Sequence, residues 1–507
     1  MNVFDYLFTD SKNSSKKFVL GSFEEISFNE LYTNSLFLAY YINNRIGENN
    51  QILLVSHNSI FFVTCYLAIL KSGNICVPLN PLIEPTNYKY IEELTQSKLL
   101  FISERIRSNI IVNSETFSES NLIEILENNN EVNLKEAFNN QVTFDENRLA
   151  EIIFTSGSTG TPKGVMLTHL NLQANTESIL SYLKLTQSDS SLLVLPLYYC
   201  YGLSVFHTHL KVGASIVFNN SFMLLGTVIN DLVKYKCSGF AGVPSHFQML
   251  LRKSQSFAKI KLPFLRYVTQ AGGKLHESFI KEFTQAFPSV VFFVMYGQTE
   301  ATARLSYLPP KLLKLKIGSI GTAIPGVLLK VVDHNDNCLG VDEIGEIVAK
   351  GDNIMKGYFN DIKGTNEVLK NGWLHTGDLG LIDKDGFIFI TSRSKNIIKV
   401  GGNRISPKEI EEVIVTNPEV VDCTVYGVED QLLGETIKAV IVVNEWSNIS
   451  ELKNEILKLC REKLSIIKIP QKIVFSVKLN VSSNGKKIKY SIDDSPNSIF
   501  NFKSIEK

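Results

Sequence analysis

One segment of the chain combines glycines, hydroxyl side chains and a lysine in a pattern that suits a polyphosphate. It reads Thr155-Ser-Gly-Ser-Thr-Gly-Thr-Pro-Lys-Gly164 and follows the apolar residues Leu149 to Thr155, which predict a strand. Glycines let backbone N–H groups converge on anionic oxygens, hydroxyls donate further hydrogen bonds, and Lys163 adds a positive charge. The lysine spacing differs from that of a Walker loop, and a flexible Ser/Gly linker is the alternative interpretation. The predicted phosphate-binding residues are Thr155, Ser156, Gly157, Ser158, Thr159, Gly160 and Lys163.

Five ordered motifs resemble those of the adenylate-forming (AMP-binding) superfamily, which includes acyl- and aryl-CoA synthetases, peptide-synthetase adenylation domains and firefly luciferase. They are TSGSTGTPKGV from Thr155, YGQTE from Tyr296, GWLHTGD from Gly372, RSKNIIKVGG from Arg393 with ISPKEIE from Ile405, and NGK from Asn484. Each motif alone is a weak signal, but five in the right order across nearly the whole chain are jointly very specific. The resemblance implies an acyl-CoA synthetase or acyl-AMP ligase that uses ATP and Mg²⁺.

The resemblance also implies roles for residues of the YGQTE motif. Glu300 carries a carboxylate that would hold Mg²⁺ bridging phosphate oxygens, and Thr299 would offer a hydroxyl to the α-phosphate. Tyr296 would present its flat face to adenine. Without the family, a core aromatic for Tyr296 and a solvated surface carboxylate for Glu300 are equally good interpretations.

Further nucleotide contacts are expected from glycines and from two charged residues. Gly272 and Gly273 follow a predicted strand, where they would let the backbone approach the purine or would form a plain tight turn. Asp378 suits two ribose hydroxyls, although an aspartate in such a place also caps turns. Arg393 would reach ribose or phosphate, and on composition alone it is an exposed surface arginine. Gly297, within the YGQTE motif, completes the predicted set.

Two of the motifs, NGK from Asn484 and RSKNIIKVGG from Arg393, imply by resemblance that one site carries out both adenylation and acyl transfer to a thiol. We call the second of them the hinge motif. By resemblance, Lys486 enters the site during adenylation and neutralises charge between the acid and the α-phosphate. The small domain would then rotate about Lys395, withdraw Lys486 and present the loop Lys399 to Arg404, where Gly401 and Gly402 would let a pantetheine arm pass. A polar inter-domain linker is the plainer interpretation of the hinge. The predicted catalytic residues are Lys486, Thr299, Glu300 and Lys163.

The segment Leu195 to Gly202 corresponds to the family region that lines the entrance of the carboxylate pocket. Its usual histidine is replaced by Tyr199, which Cys200 follows. No aspartate is present there to pair with a substrate ammonium, so amino acids are disfavoured because an unpaired buried charge is unfavourable. The apolar character of the pocket favours a fatty or aromatic acid. Its predicted residues are Tyr199, Cys200, Phe247 and Met295.

The function expected from these motifs is ATP-dependent activation of a carboxylic acid to acyl-AMP, with release of pyrophosphate, followed by acyl transfer to a thiol. Coenzyme A is the default acceptor, and the phosphopantetheine of an acyl carrier protein is the alternative within the same chemistry. A light-emitting oxidase that shares the adenylation step is more remote. A non-catalytic nucleotide-binding scaffold is disfavoured by the intact Lys163, Glu300, Asp378, Arg393 and Lys486.

The elements that must position these residues alternate between short apolar strands and amphipathic helices. The first predicted strands are Gln51 to Val55, Ile75 to Pro78 and Leu99 to Ile102, and the first predicted helices are Leu31 to Ile46, Ile60 to Lys71 and Tyr88 to Thr95. Such alternation implies a parallel sheet with helices on its faces. The stretch Asn113 to Arg148 is poorly periodic and is expected to be a surface connection, and a helix is expected near Thr168 after the phosphate loop.

After about Ile324 the pattern changes to short strands with hairpin signals, and Asp385-Gly386 predicts a two-residue turn. A last α+β unit is predicted from the helices Pro407 to Val415 and Glu451 to Leu464 and the strands Val421 to Val428 and Thr436 to Val443. We therefore expect an α/β fold whose large N-terminal domain, residues 1–394, has parallel-sheet layers plus a small β-barrel-like part. A small mobile α+β C-terminal domain, residues 395–507, would follow the hinge at Lys395.

The composition of the chain limits the classes of protein to which it can belong. The chain has 507 residues, 44% of them hydrophobic, and 51 Lys and Arg against 51 Asp and Glu, so the formal net charge is zero. Zero net charge removes the long-range attraction to nucleic acid or to anionic membranes. The longest apolar run, Ile60 to Leu70, is too short for a transmembrane helix, and the N-terminus lacks a signal-peptide pattern. Seven scattered cysteines form no disulfide framework, so a reducing, cytoplasmic location is expected.

Overall fold

The computed structural model describes residues 1–21, 24–106, 112–127, 144–155, 161–393, 397–430, 433–444 and 447–477. Within these ranges the chain forms four β-sheets with helices packed against them. Several predicted site residues lie outside the described ranges and stay predictions. They are Ser156, Gly157, Ser158, Thr159, Gly160, Lys395 and Lys486.

The first sheet has nine strands in the described part of the chain, and its centre is parallel. In spatial order the strands are Thr322–Ala323, Ser306–Leu308, Val291–Tyr296, Tyr267–Gln270, Gly239–Gly242, Ser190–Leu193, Ser215–Phe218, Lys17–Leu20 and Ile26–Ser27. Pairing is parallel from Val291–Tyr296 to Lys17–Leu20 and antiparallel at both edges. The central strands Gly239–Gly242 and Tyr267–Gln270 are buried along their whole length, as parallel strands covered by helices are.

The second sheet, with seven strands among the described residues, carries the segment that enters the predicted phosphate loop. In spatial order its strands are Gly357–Tyr358, Lys163–Thr168, Leu149–Thr155, Ile75–Leu79, Gln51–Val55, Leu99–Ile102 and Glu115–Phe117. Because Leu149–Thr155 pairs antiparallel with Lys163–Thr168, the predicted loop connects the two strands of a hairpin. The helix expected near Thr168 begins at His169, but the strand before it was not predicted.

The third sheet is antiparallel and follows the change of sequence pattern near Ile324. Its strands are Val327–Val332, Gly345–Gly351, Trp373–Ile382, Leu369–Lys370 and Ile388–Arg393. It carries two predicted site residues, since Asp378 lies within its long middle strand and Arg393 ends its last one. The expected hairpin at Asp385-Gly386 is present, but its two strands pair up to Ile382 and Ile388, so the connection is longer than the predicted two-residue turn.

The fourth sheet and two helices form a small C-terminal unit that matches the expected α+β pattern. The strands are Asn403–Ile405, Ile398–Val400, Gly434–Val443, Val420–Asp430 and Lys472–Ser476, and the helices are Pro407–Ile414 and Ile449–Lys463. The predicted domain boundary falls on residues 394–396, outside the described ranges, and stays a prediction.

Some of the remaining helices begin at a residue whose side chain caps the helix. The remaining helices are Val3–Leu7, Phe28–Ile46, Ile60–Lys71, Pro85–Thr95, Glu119–Glu127, His169–Leu183, Cys200–Lys211, Leu225–Lys234, Pro244–Arg252, Glu277–Ala286 and Ile362–Val368. Short 3₁₀ turns occur at Phe257–Lys259, Thr299–Ala301, Pro310–Leu312 and Ile466–Lys468. Phe28–Ile46, for example, begins at a capping box of Ser27 and Glu30 and ends at Gly47, whose φ is 74°. Of the helices described, none is both long and apolar enough to span a membrane.

The described residues 113–127, at the start of the segment expected to be a surface connection, form a strand and a helix. The strand Glu115–Phe117 extends the second sheet, and the helix Glu119–Glu127 follows. The helix buries Leu122, and its Ile125 and Leu126 pack partly buried against the same apolar cluster.

The small C-terminal unit packs against two helices of the large domain, Pro244–Arg252 and Glu277–Ala286. Gln248 Nε2 donates to Asp422 Oδ1 at 2.8 Å, and both groups are buried. Arg252 Nη1 donates to the carbonyl oxygens of Val415 and Asn417, at 3.0 Å each. Polar contacts and a shared apolar cluster therefore join the two parts of the chain.

Candidate active site

Lys163 lies beside a carboxylate that the sequence did not reveal. Its Nζ is 2.9 Å from Asp361 Oδ2, and the Gly364 N–H donates to Asp361 Oδ1 at 2.7 Å. The Gly364 N–H and the Lys163 charge hold the pKa of Asp361 below its ordinary value. Only glycine admits this arrangement, because a Cβ on Gly364 would meet Asp361 Oδ2 at 2.1 Å and Lys163 Nζ at 2.5 Å. The lysine at the end of the predicted phosphate loop, opposite Thr155 in the hairpin, is thus positioned by an ion pair.

Glu300 is joined to Lys163 through Tyr358. Tyr358 Oη donates to Glu300 Oε1 at 2.9 Å, while Lys163 Nζ lies 4.8 Å from the centroid of the Tyr358 ring. Burial and the Glu300 charge raise the pKa of Tyr358 far above its ordinary value, so its phenol remains a donor. Thr299 is 5% exposed, and its Oγ1 lies 3.5 Å from Cys200 Sγ. Residues that were predicted separately are therefore brought into one site.

Tyr296, Asp378 and Arg393 form a second cluster. Tyr296 Oη donates to Asp378 Oδ2 at 2.7 Å, and Arg393 Nε donates to Asp378 Oδ1 at 2.8 Å. Asp378 is 3% exposed and Tyr296 9%, whereas 62% of the Arg393 side chain is exposed. The Asp378 charge raises the pKa of Arg393, and burial together with that charge raises the pKa of Tyr296. Each Asp378 oxygen keeps a further lone pair, which suits the predicted contact with ribose hydroxyls.

Tyr199 links the two clusters electrostatically. Burial raises the pKa of its phenol well above the ordinary value, Cys200 and Glu300 raise it further, and Arg304 and Arg393 oppose the rise. These charges act on one phenol because they lie around it. The residues predicted for the acid and those predicted for the nucleotide therefore share one site.

The glycines of the site stand where a side chain is excluded or a left-handed backbone is needed. A Cβ on Gly297 would meet the carbonyl oxygen of Ala303 at 2.1 Å, so the loop after the YGQTE strand closes tightly only on glycine. Gly272 has a φ of 82°, in the region that favours glycine. Gln270 Nε2 donates to the Gly273 carbonyl oxygen at 2.7 Å and so fixes the turn predicted to approach the purine.

Met295 and Phe247, both predicted for the acyl pocket, lie in different surroundings. Met295 lines a small cavity next to the site. Phe247 is fully buried in an aromatic cluster with Phe240, Phe283 and Phe292, and it is not among the described residues that line the cavity. The structure thus brings Met295, but not Phe247, to the cavity.

Arg304 lines the same cavity and was not expected from the sequence. It is 2% exposed, and its guanidinium lies 4.7 Å from the centroid of the Tyr201 ring. The cavity has a volume of about 10 Å³ and is also bounded by Thr269 and Tyr267. An arginine four residues after Glu300, within a run of small and apolar residues, is the sequence signal that could have indicated it.

Tyr358 and Asp361 are the other site residues that sequence reasoning missed. Asp361 caps the N-terminus of the helix Ile362–Val368, and this capping pattern is readable in the sequence. The pattern indicates a helix start, however, and does not reveal a partner for Lys163, which lies far earlier in the chain. Tyr358 carries no local signal, since the strand pairing described for Gly357–Tyr358 is with the distant strand that contains Lys163.

The loop predicted to face the thiol forms a tight turn in the small C-terminal unit. Val400 pairs with Asn403, and between them Gly401 and Gly402 have φ values of 53° and 81°, as a two-residue hairpin turn requires. The Lys399 N–H donates to Glu435 Oε2 at 2.6 Å. Within the described ranges, the hydrogen bonds of this loop stay inside the small unit, so its approach to the site stays a prediction.

The carboxylate oxygens of Glu300 are the kind of ligand that a magnesium ion prefers. Mg²⁺ is usually bound through one or two carboxylates together with substrate phosphates rather than in an all-protein cage. Among the residues that the structure describes, no three His, Cys, Asp or Glu side chains are grouped to hold a metal. Glu300 would therefore hold the ion jointly with phosphate oxygens, consistent with the sequence prediction.

The chain belongs to the AMP-binding enzyme family. Residues 9–359 match the family model for the AMP-binding enzyme, and residues 409–486 match the model for the AMP-binding enzyme C-terminal domain. The predicted superfamily is thereby confirmed. The predicted fold class is also confirmed, since the protein is a mixed α/β protein with parallel sheets and a separate small C-terminal unit.

Relatives and solved structures agree with the family. The oxalate–CoA ligase of Arabidopsis thaliana is 28% identical over 452 residues, which cover 87% of this chain and 87% of the relative. The long-chain-fatty-acid–CoA ligase of Escherichia coli O6:H1 is 27% identical over 513 residues, with 93% and 90% covered. The crystal structure of ATP-bound MatB from Rhodopseudomonas palustris has a TM-score of 0.83 at 25% identity, with 96% of this chain and 97% of that chain covered.

Proposed function

We propose that this chain activates a carboxylic acid with ATP to form acyl-AMP, releases pyrophosphate, and transfers the acyl group to the thiol of coenzyme A. The observation that carries the proposal is the buried Asp378, held between Tyr296 and Arg393, in a chain of the AMP-binding family. A buried carboxylate with spare lone pairs is a receptor for ribose hydroxyls. Lys163 and Glu300, joined through Tyr358, support a phosphate site in the same protein, since they offer a cation and a carboxylate for Mg²⁺.

Each residue of the site has a defined task in the first half-reaction. Asp378 accepts hydrogen bonds from ribose, and Lys163 exchanges Asp361 for phosphate oxygens. Glu300 would hold Mg²⁺, which neutralises phosphate charge when bound. Thr299 donates its hydroxyl to the α-phosphate. The acid oxygen forms a bond to the α-phosphorus as the bond to pyrophosphate breaks.

Lys486 completes the first half-reaction, and it is a prediction from the sequence because it lies outside the described residues. Its ammonium would offset the negative charge that gathers when a carboxylate approaches the α-phosphate. In the second half-reaction a thiolate attacks the acyl carbon, the C–S bond forms and AMP leaves. Rotation of the small domain about Lys395 would bring the loop of Gly401 and Gly402 to the site for that step.

The proposal also names the thiol that accepts the acyl group and the class of acid that is activated. The names of the two ligases above support coenzyme A as acceptor, and a holo carrier protein is the alternative. Those relatives are named for acids as different as oxalate and a long-chain fatty acid, so they leave the acid open. Tyr199, Cys200 and Met295 support an acid whose skeleton is apolar, as a fatty or aromatic acid from the sequence expectation would have, and they do not specify the group at the far end of that skeleton.

ATP–pyrophosphate exchange across a panel of fatty, aromatic, dicarboxylic and amino acids tests the first half-reaction. We expect ATP–pyrophosphate exchange only when an acid of one class in the panel is present. Lys486→Ala should abolish exchange while sparing thioester formation from synthetic acyl-AMP, and the matched variant Lys487→Ala should keep both activities. Equal loss of both half-reactions in Lys486→Ala would contradict the two uses of the site.

The acceptor is tested by offering either coenzyme A or a holo carrier protein to the enzyme loaded with acyl-AMP. Thioester formation with coenzyme A alone is expected, and acylation of the carrier without coenzyme A would favour the alternative. Absence of both exchange and ATP binding would indicate a non-catalytic scaffold. Oxygen-dependent product formation would indicate an oxidase.

A further inference from the structure

A buried cation lines the cavity next to the candidate active site. Arg304 is 2% exposed, and its side chain ends in a guanidinium cation with five N–H donors. Among the described residues it forms no ion pair with a carboxylate, and its Nε has no hydrogen-bond partner. Its Nη1 donates a long hydrogen bond to the carbonyl oxygen of the adjacent Ala303, at 3.4 Å. This state is unusual, because buried charges are normally paired.

Neutral aromatic groups compensate the charge of Arg304 only in part. The guanidinium lies 4.7 Å from the Tyr201 ring centroid, a cation–π arrangement. Burial raises the pKa values of Tyr182, Tyr199 and Tyr201, and the Arg304 charge opposes each rise, so these phenols lie around the guanidinium. Since phenols are neutral, the described surroundings supply polarity but no counter-ion.

Arg304 shares its cavity with residues that neighbour those proposed for catalysis. Met295 and Tyr201 line the cavity, and Tyr201 directly follows Cys200, whose Sγ lies 3.5 Å from Thr299 Oγ1. Its volume of about 10 Å³ is room for about one water-sized group. One carboxylate oxygen fits such a space beside the guanidinium, whereas a hydrocarbon chain of several carbons does not.

We propose that the acid activated by this chain carries a second carboxylate, at its far end, which pairs with Arg304. The inference rests on the proposed function and makes Arg304 a specificity-determining residue of that reaction. The near carboxylate is adenylated beside Thr299, and the distal one accepts charge-assisted hydrogen bonds from the guanidinium. A monocarboxylic acid of equal length leaves the buried cation facing an apolar end, which such a polar site rejects. The substrate class is therefore a short dicarboxylic acid, aliphatic or aromatic.

Matched acid pairs test this specificity in the wild-type enzyme. Each short aliphatic or aromatic dicarboxylic acid is compared with the monocarboxylic acid of the same skeleton in ATP–pyrophosphate exchange. For at least one skeleton we expect kcat/KM to be about 100-fold higher for the dicarboxylic acid, the usual effect of a buried ion pair that lacks one partner.

Substitution of Arg304 tests the residue itself. Arg304→Met should lower kcat/KM for the dicarboxylic acid by about 100-fold and raise it for the monocarboxylic match, while KM for ATP stays unchanged. Arg304→Lys, which keeps the charge and is milder for folding, should retain the dicarboxylic preference with weaker binding. The matched control is Arg266→Met, since Arg266 is paired with Asp189 and should leave the acid preference unchanged.

The outcomes separate this inference from the proposed function. Exchange with monocarboxylic acids at rates equal to their dicarboxylic matches would overturn the inference and leave the proposed function standing. An unchanged acid profile in both Arg304 variants would overturn it as well. Absence of exchange with every acid would overturn the proposed function and, with it, the inference.

Discussion

At the scale of single residues, the candidate site contains one exposed ion pair that a bound phosphate would replace and one buried carboxylate that is already oriented. Lys163 is paired with Asp361, and 31% and 35% of the two side chains remain exposed. Ion pairs of such exposure are worth about 0–1 kcal/mol, so a phosphate can replace the carboxylate easily. Asp378, by contrast, is buried and accepts two hydrogen bonds, so it is oriented before ribose arrives.

From the Lys163–Asp361 ion pair we predict that removal of the Asp361 charge strengthens ATP binding rather than weakening it. Asp361→Asn should lower KM for ATP about two- to five-fold, because the triphosphate no longer competes with a carboxylate for Lys163. ATP–pyrophosphate exchange at varied ATP measures the effect, and the exposed Asp352→Asn serves as the matched control. A raised KM would show instead that Asp361 holds Lys163 in its productive position.

At the scale of secondary-structure elements, a buried polar network ties the second sheet to two helices. Glu151, on the strand Leu149–Thr155, accepts a hydrogen bond from Tyr66 Oη at 2.8 Å, and Tyr66 Oη lies 2.8 Å from His207 Nε2. Burial raises the pKa of Glu151 to about 7, although the Tyr66 hydrogen bond opposes the rise. Burial also lowers the pKa of His207 to about 3, so this imidazole is neutral. The strand that leads into the phosphate loop is thus anchored by a carboxyl group that resists ionisation.

This network predicts a pH-dependent effect of Glu151→Gln. Since the folded state raises the Glu151 pKa from 4.5 to about 7, the protonated carboxyl stabilises the fold fully below pH 4.5 and loses that contribution as pH rises through 7. The shift corresponds to roughly 3 kcal/mol. Glu151→Gln should therefore unfold at a higher temperature than wild type at pH 8 and at a similar temperature at pH 5.

Thermal unfolding at the two pH values measures this difference, with the exposed Glu124→Gln as control. If the difference in unfolding temperature between Glu151→Gln and wild type were the same at pH 5 and pH 8, Glu151 would ionise as freely in the folded protein as in the unfolded chain.

At the scale of the whole molecule, Arg252 joins the two parts of the chain. Only 5% of its side chain is exposed, its Nε donates to Glu282 at 3.1 Å, and its guanidinium lies over the Phe279 ring at 4.1 Å. Its Nη1 donates to the Val415 and Asn417 carbonyl oxygens at the C-terminal end of the helix Pro407–Ile414, where a cation is favourable. One buried side chain therefore fixes the first helix of the small unit to the large domain.

Arg252→Ala should loosen that contact. Amide hydrogen exchange in the helix Pro407–Ile414 should become roughly ten-fold faster, since charged hydrogen bonds contribute about 1.5–3 kcal/mol. Hydrogen exchange read by mass spectrometry tests this, and Arg461→Ala, on the exposed face of the small unit, is the matched control. Unchanged exchange would show that the two parts of the chain are not held together by Arg252 in solution.

Much of this architecture was readable from local patterns. The strands Gln51–Val55 and Leu99–Ile102 and the helix Ile60–Lys71 stand at the predicted residues, because apolar periodicity and caps act within a few positions. The strand Lys163–Thr168 was missed, since it is stabilised by pairing across the loop and with Gly357–Tyr358 rather than by its own pattern. Tertiary pairing overrode the local signal there.

The motif order of the chain was sufficient to assign its family and its α/β class and to predict a nucleotide site, since those motifs are short and each residue type carries its own chemistry. The partners of those residues emerged only from the fold: Asp361 for Lys163, Tyr358 for Glu300, and the burial of Phe247 away from the cavity. Such contacts join segments far apart in the chain, and no local periodicity or capping rule encodes them. The burial of Arg304 without a carboxylate partner among the described residues belongs to the same class, because a charge is buried only when distant strands and helices close around it.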